Sequence, residues 1–406
     1  VTGEIRRVAM VSMHTSPDAA PGSADAGSIN VSLLETAREL ATRGVEVDLV
    51  TRATGETGSR AVAPGVTLHA VRAGPIGVVA RDDLGVFSDE FGEEFARLAG
   101  RDGPRYDVIH AHYWLSGLAT LPVAIELGVP FVQTFHSLAA LHSASPVPGA
   151  APDSERRLWS ERYLAGQADA IVAVSAAEAT MLIDRVGAPI AKLWVVPPGV
   201  DGDAFRAGRA TTSLSVHAFL GIAAERPVIA VIGRLEPAKG QELAIQALAT
   251  MPEPRPLLAV VGEPGSADYA AGLRTLAADL DVNADVRFLG VLDRAELAGL
   301  LAATSVALVP SYSESFGLVA LEAAATGVPV VASAAGGLVE SVLDGETGLL
   351  VASREPEDWA RAIATLLGDD ALRARMASSA RLHAEGLSWG STATSLLGVY
   401  ASLNKR

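Results

Sequence analysis

The sequence predicts an α/β protein of two doubly wound, Rossmann-like parallel sheets, and three observations carry that expectation. With 406 residues, 49% of them hydrophobic, the chain exceeds one ordinary compact core and has apolar material for two. Short apolar runs of strand length alternate with helix-period stretches, once in the first half and again in the second. Between the two series lies PPGVDGDAF, Pro197 to Phe205, a turn-rich break that reads as a hinge. The expected domains are residues 1–197 and 198–387, with a last helix over 388–406 crossing back onto the first half.

The first strand is Val8 to Met13. A loop rich in Gly, Pro, Ser and Asp follows from Ser16 to Ser28, then a helix from Ile29 to Arg43 closed by Gly44, then a strand from Val45 to Thr51. This is a β-α-β unit with a long polar first connection, and folds of this kind bind ligands at such connections. Gly22 and Gly27 do not make the GxGxxG fingerprint, which argues against a nicotinamide enzyme. Further strands are expected at Val66 to Val71, Val108 to Ala111, Phe131 to Thr134, Ala170 to Val174 and Leu193 to Val196. Ser175 and Glu178 form a capping-box pattern for the helix after the fourth of these. The second series runs through Pro227 to Gly233, Leu257 to Gly262, Val286 to Gly290, Val306 to Val309, Val328 to Ser333 and Gly348 to Val351.

The formal charge of −15 argues against nucleic-acid and anionic-membrane partners, which require a basic field. The absence of cysteine excludes disulfides and thiolate metal sites. Arg6 and Arg7 run into a short strand with no signal-like apolar region, and no run is long enough to span a bilayer. A soluble, cytoplasmic protein is expected, with homodimer formation left open.

The stretch PSYSESFGLVALEAAATGVPVVASAAGG, Pro310 to Gly337, organises the functional reading. It turns from a strand into a helix expected from about Phe316 to Ala325, and the first amides, Phe316 to Val319, lack partners inside the helix. Gly317 lets a ligand approach this end, which favours phosphate. Glu314 and Glu322, before and within the helix, suit paired hydroxyl acceptors, since ionised Glu takes hydrogen bonds from vicinal hydroxyls. Polyol, diphosphate and polyol in series describe a nucleotide sugar; solvated glutamates on an amphipathic helix are the plainer alternative. In VIGRLEPAKGQELAIQAL, Arg234 at a strand end and Lys239 before a helix would offset charge accumulating on a departing diphosphate.

His136 follows a strand and would reach the donor sugar near the reacting carbon, although a lone His is more often structural. His110 and His112 resemble metal ligands but lack a carboxylate at ligand spacing, so no metal is expected. Asp201 and Asp203 read as turn chemistry.

Together ESFGLVALE, GRLEPAKG, PPGVD and TFH resemble the retaining family 4 glycosyltransferases of GT-B fold, in which two Rossmann-like domains face each other across a cleft. MVSMHTSPDAAPGSADAGSINV and HAHYWLSG extend the likeness to the mycothiol-pathway branch, which moves N-acetylglucosamine from a uridine diphosphate donor to inositol 3-phosphate. The resemblance implies a donor site of Gly27, Ser28, Arg234, Lys239, Glu314, Phe316, Gly317, Leu318 and Glu322, with His136, Arg234, Lys239 and Glu314 closest to the chemistry. The family's Lys, Tyr, Thr and Arg cage for the acceptor phosphate falls on Arg81, Tyr113, Ser137 and Arg157, beside Asn30. Ser28 stands where the family usually has Gly, and the turn Val291 to Leu297 is expected to lack the arginine that members place near the uracil. No cofactor or essential divalent ion is implied beyond the nucleotide-sugar co-substrate. A carboxylate-bearing acceptor in secondary metabolism, a sugar-nucleotide epimerase of the same fold and a non-catalytic binding subunit are the alternatives.

Overall fold

The computed structural model describes residues 5–19, 27–100, 105–140, 146–147, 153–211 and 213–404. Gly22 and the middle of the first loop lie outside these residues. The first sheet has eight strands in the order β3-β4-β2-β1-β5-β6-β7-β8. They are β1 (Arg7–Ser12), β2 (Glu46–Arg52), β3 (Gly58–Ala63), β4 (Val66–Val71), β5 (Val108–His112), β6 (Phe131–Thr134), β7 (Ala170–Ala173) and β8 (Leu193–Val195). The second sheet orders β11-β10-β9-β12-β13-β14, from β9 (Val228–Ile232), β10 (Leu257–Val261), β11 (Val286–Gly290), β12 (Val306–Val309), β13 (Val330–Ser333) and β14 (Gly348–Val351). Strands β5, β6, β7, β10 and β12 are buried along their whole length, as expected of parallel strands covered by helices on both faces.

One strand departs from the expected series. β3 pairs antiparallel with β4 at the sheet edge, and four of its six residues are exposed. A strand that buries almost nothing needs no apolar alternation, so GSRAVA carries no strand signal.

The helix Trp389–Leu403 packs back on the first sheet. Leu396, Val399 and Tyr400 share one apolar cluster with Val8, Met10, Leu33 and Leu40. The two chain crossings between the sheets lie side by side: Val200 N–H donates to Leu387 O at 2.9 Å, and the Thr392 hydroxyl donates to Pro197 O at 2.9 Å. A Cβ on Gly199 would stand 2.1 Å from Trp389 N, so this approach admits only glycine.

Polar contacts between described residues join the sheets across the cleft. The Glu340 carboxylate accepts from Ala176 and Ala177 N–H at 2.8 and 2.9 Å. Arg294 pairs with Glu35 at 3.0 Å. The Ser315 hydroxyl donates to the His136 carbonyl.

Candidate active site

The loop between β12 and the helix Leu318–Thr326 meets the loop after β9. Tyr312 N–H donates to Ala238 O at 2.9 Å. Glu314 accepts from Lys239 Nζ at 2.7 Å and from the Ser311 hydroxyl at 2.8 Å. Burial would lower the Lys239 pKa, but the Glu314 charge and hydrogen bond outweigh it and hold the ammonium above its ordinary value. Arg234 lies on the preceding turn, held from behind by Gln241, whose amide donates to Arg234 O at 2.8 Å. The 314–316 loop is clamped from its other side, where Gly337 N–H donates to Glu314 O at 2.8 Å. A Cβ on Gly336, at φ 54°, would stand 2.2 Å from that same oxygen.

Gly317, at φ 101°, caps the helix without a side chain and leaves its first amides available. Phe316 is 4% exposed and its ring packs in the core with Ala320 and Leu321, so its part at this helix end falls to its backbone amide. Glu322 is raised to about 7 by burial, with Arg294 pulling the other way. The turn Val291 to Leu297 therefore does bring an arginine to this end of the site. Arg294 opens the helix Arg294–Ala303, where it pairs with Glu35 and acts on Glu322 only through its charge.

Across the cleft, three of the four expected cage residues converge. The Arg157 guanidinium donates to Ser137 Oγ at 3.1 Å and to Ser137 O at 3.0 Å, and lies 5.3 Å from the Tyr113 ring centroid. Asp153 and Glu161 pair with it at 2.7 and 2.8 Å, the latter from the next turn of the helix Glu155–Gln167. Arg81 is exposed at the start of the turn Arg81–Phe87 and acts electrostatically on His14. His14 was not anticipated. Its ring centroid is 4.5 Å from that of Tyr113, and its pKa falls to about 3 through burial and through the charges of Arg81, His136 and Arg157. Asn30 is buried; its side chain bonds Thr15, Ser16 and Gly27, so it shapes the first loop from beneath. Gly27 and the exposed Ser28 form the start of the helix above that loop.

Tyr113 and His136 both adopt left-handed backbone conformations, at φ 72° and 59°. Such conformations cost on the order of 1–3 kcal/mol in non-glycine residues and cluster at functional sites. His136 Nε2 lies 2.8 Å from His112 Nδ1, and burial lowers the His136 pKa to about 4. His110 is engaged at both nitrogens, with Tyr400 Oη at 2.7 Å and Thr134 Oγ1 at 2.8 Å. Asp201 caps its own turn, accepting from Ala204 N–H at 3.0 Å.

Comparison with known proteins fits this arrangement. The Glycosyltransferase Family 4 model matches residues 29–204, and the Glycosyl transferases group 1 model matches residues 215–383. The D-inositol 3-phosphate glycosyltransferase of Stackebrandtia nassauensis is 41% identical over 412 aligned residues, covering 99% of this chain and 92% of that protein. The protein of the same name from Acidothermus cellulolyticus is 42% identical over 406, covering 97% and 90%. The sucrose-phosphate synthase of Thermosynechococcus elongatus superposes with a TM-score of 0.89 at 30% identity, covering 98% of this chain and 99% of that one. Anabaena HepE, solved with UDP and glucose, shares the fold with a TM-score of 0.79 at 22% identity, covering 98% and 100%. Two Rossmann-like domains facing across a cleft, with these relatives, define a glycosyltransferase of GT-B fold. The chain belongs to the family 4 glycosyltransferases, together with the enzymes named D-inositol 3-phosphate glycosyltransferase.

Proposed function

We propose that the enzyme moves a sugar, with retention of configuration, from a nucleoside-diphosphate sugar to an inositol phosphate or a similar small anionic acceptor. The observation that carries this reading is a preorganised cation in each domain: Lys239, held by Glu314, in the second, and Arg157, held over Tyr113 and Ser137, in the first. The Ser315 to His136 contact joins the two domains. The likeness to proteins named for D-inositol 3-phosphate supports the acceptor class.

In this reading residues 198–387 hold the donor. Arg234 and Lys239 take the diphosphate, with the helix end at Gly317 and Leu318; Glu314 takes sugar hydroxyls, and Glu322 the ribose. Residues 1–197 hold the acceptor through Arg81, Tyr113, Ser137 and Arg157, while Gly27 and Ser28 close over the donor. The bond from the anomeric carbon to phosphate oxygen breaks as the bond to the acceptor oxygen forms on the same face. The acceptor proton passes to the departing phosphate oxygen. Negative charge then gathers on the diphosphate, where Arg234 and Lys239 stabilise it, and the two cations take the place a divalent ion would fill. His136 is uncharged at neutral pH and offers the sugar a hydrogen bond instead of a charge. The cleft excludes water from the reacting bond, and the reading places the enzyme in the cytoplasm with its soluble substrates.

The test is turnover with UDP-N-acetylglucosamine and an acceptor panel of inositol 3-phosphate, inositol and inositol-like carboxylates. Release of UDP that depends on inositol 3-phosphate supports the reading. Preference for a carboxylate would move the acceptor to the second class, which the guanidinium fork of Arg81 also accommodates. Release that ignores every acceptor would defeat it.

A further inference from the structure

We propose that Trp389, acting through a buried water, and His112 form a relay that fixes His136 as the tautomer protonated at Nδ1. Both are positioning residues, and the proposal rests on the reading that His136 stands beside the donor sugar.

A cavity of about 40 Å³ is walled in part by Thr36, His110, His112, His136, Trp389 and Thr392. A water needs roughly 10–15 Å³ and two to four polar partners. Two atoms of residues in these walls, His112 Nε2 and Trp389 Nε1, are buried and have no hydrogen-bond partner among the described residues. Buried polar groups nearly always have one, and a single water between the two would satisfy both. His110 does not compete for it, since both of its nitrogens are engaged.

The direction of the bonds follows from the donor at one end. Indole Nε1–H can only donate, so the water accepts there and can turn a hydrogen to His112 Nε2. His112 then carries its proton on Nδ1, 2.8 Å from His136 Nε2, and donates it across that contact. The His136 proton is left on Nδ1. His136 is held at the other end as well, by its φ of 59° and by the Ser315 hydroxyl on its carbonyl. Trp389 is the first residue of the returning helix, directly after the crossing at Leu387 and Val200. The relay therefore ties the His136 proton to the seating of the segment that joins the domains.

The experiment is ¹⁵N-histidine NMR on the full chain, with His136 assigned by loss of its signals in His136→Gln. The wild-type spectrum should show Nδ1-protonated, Nε2-accepting rings for both His112 and His136. Protonation of His136 at Nε2 overturns the proposal without any variant having to fold. Trp389→Phe, which keeps the ring bulk and removes the N–H, should mix the tautomers and lower kcat by about tenfold, the worth of one net hydrogen bond, at constant donor KM. An unchanged tautomer in Trp389→Phe also overturns it. His112→Asn, whose amide replaces Nδ1, should retain most of the activity that His112→Gln loses; equal losses would count against the relay. If the tautomers mix while kcat holds, the relay stands and it is the placing of His136 beside the donor that fails.

Discussion

Lys239 Nζ and Glu314 Oε1 are 2.7 Å apart, so the residue assigned to the diphosphate and the residue assigned to the sugar already hold one another. Neither has to be ordered by the ligand, and the ammonium is aimed before charge develops, which is where electrostatic stabilisation has most effect.

Lys239→Ala and Arg234→Ala should each lower kcat by on the order of a hundredfold or more. Glu314→Gln should weaken the sugar donor but spare the free nucleoside diphosphate, whereas Glu322→Gln should weaken both. Steady-state kinetics with calorimetry on both ligands checks the set. Equal losses for the two ligands in both glutamate variants would contradict the layout.

Nucleotide affinity should depend on pH through Glu322. Its carboxyl is raised to about 7 by burial, and the carboxylate accepts ribose hydroxyls more strongly than the protonated form. The dissociation constant of the nucleoside diphosphate should therefore climb as pH falls below about 7, and Glu322→Gln should flatten the curve. Stability has the opposite sense. A carboxyl raised from 4.5 contributes stability that is full below 4.5 and lost as pH rises through about 7, and the buried Glu178, also near 7, adds to the same loss. Glu178→Gln should narrow the fall in melting temperature between pH 5 and pH 8, measured by calorimetry.

Strands such as β6 and β12 are legible end to end because each is a short buried run with turn residues on either side. β3 is not, since it buries almost nothing. The helix end at Gly317 and the pair Arg234 and Lys239 are visible as local spacing. Two features are missed because they exist only through contacts distant in sequence. His14 is one polar residue in a loop with no partner at informative spacing, and only the sheet order sets β1 beside β5 and His14 against Tyr113. Arg294 acts on the distant Glu322 from the start of the helix Arg294–Ala303. Ser175 and Glu178 complete half of the expected capping box: Ser175 accepts from Glu178 N–H at 3.0 Å, while the Glu178 carboxylate turns to Val174 N–H at 2.7 Å.

The two cage arginines should behave differently. Arg81 is exposed, so Arg81→Ala should raise the acceptor KM and leave stability within about 0.5 kcal/mol. Arg157 is 7% exposed and neutralises Glu161, itself 1% exposed. Arg157→Ala should raise the same KM and also destabilise the fold by about 3 kcal/mol, because it strands a buried carboxylate. Acceptor kinetics and denaturant melts on both variants make the check; identical melts would be inconsistent with the buried pair.

Glu340 should help to hold the cleft closed, since its carboxylate caps the helix Ala176–Met181 from the opposite domain. Glu340→Ala should increase the radius of gyration of the ligand-free protein in X-ray scattering, and saturating nucleotide sugar should reverse the change. Superimposable ligand-free profiles would show that the contact does not govern closure.

The most direct test of the account is the anomeric configuration and acceptor dependence of the product, read by proton NMR after incubation with UDP-N-acetylglucosamine and inositol 3-phosphate. The account predicts an α-linked product, as in the donor, formed with inositol 3-phosphate and sharply reduced with unphosphorylated inositol. A β-linked product, or equal turnover of the two acceptors, would contradict it.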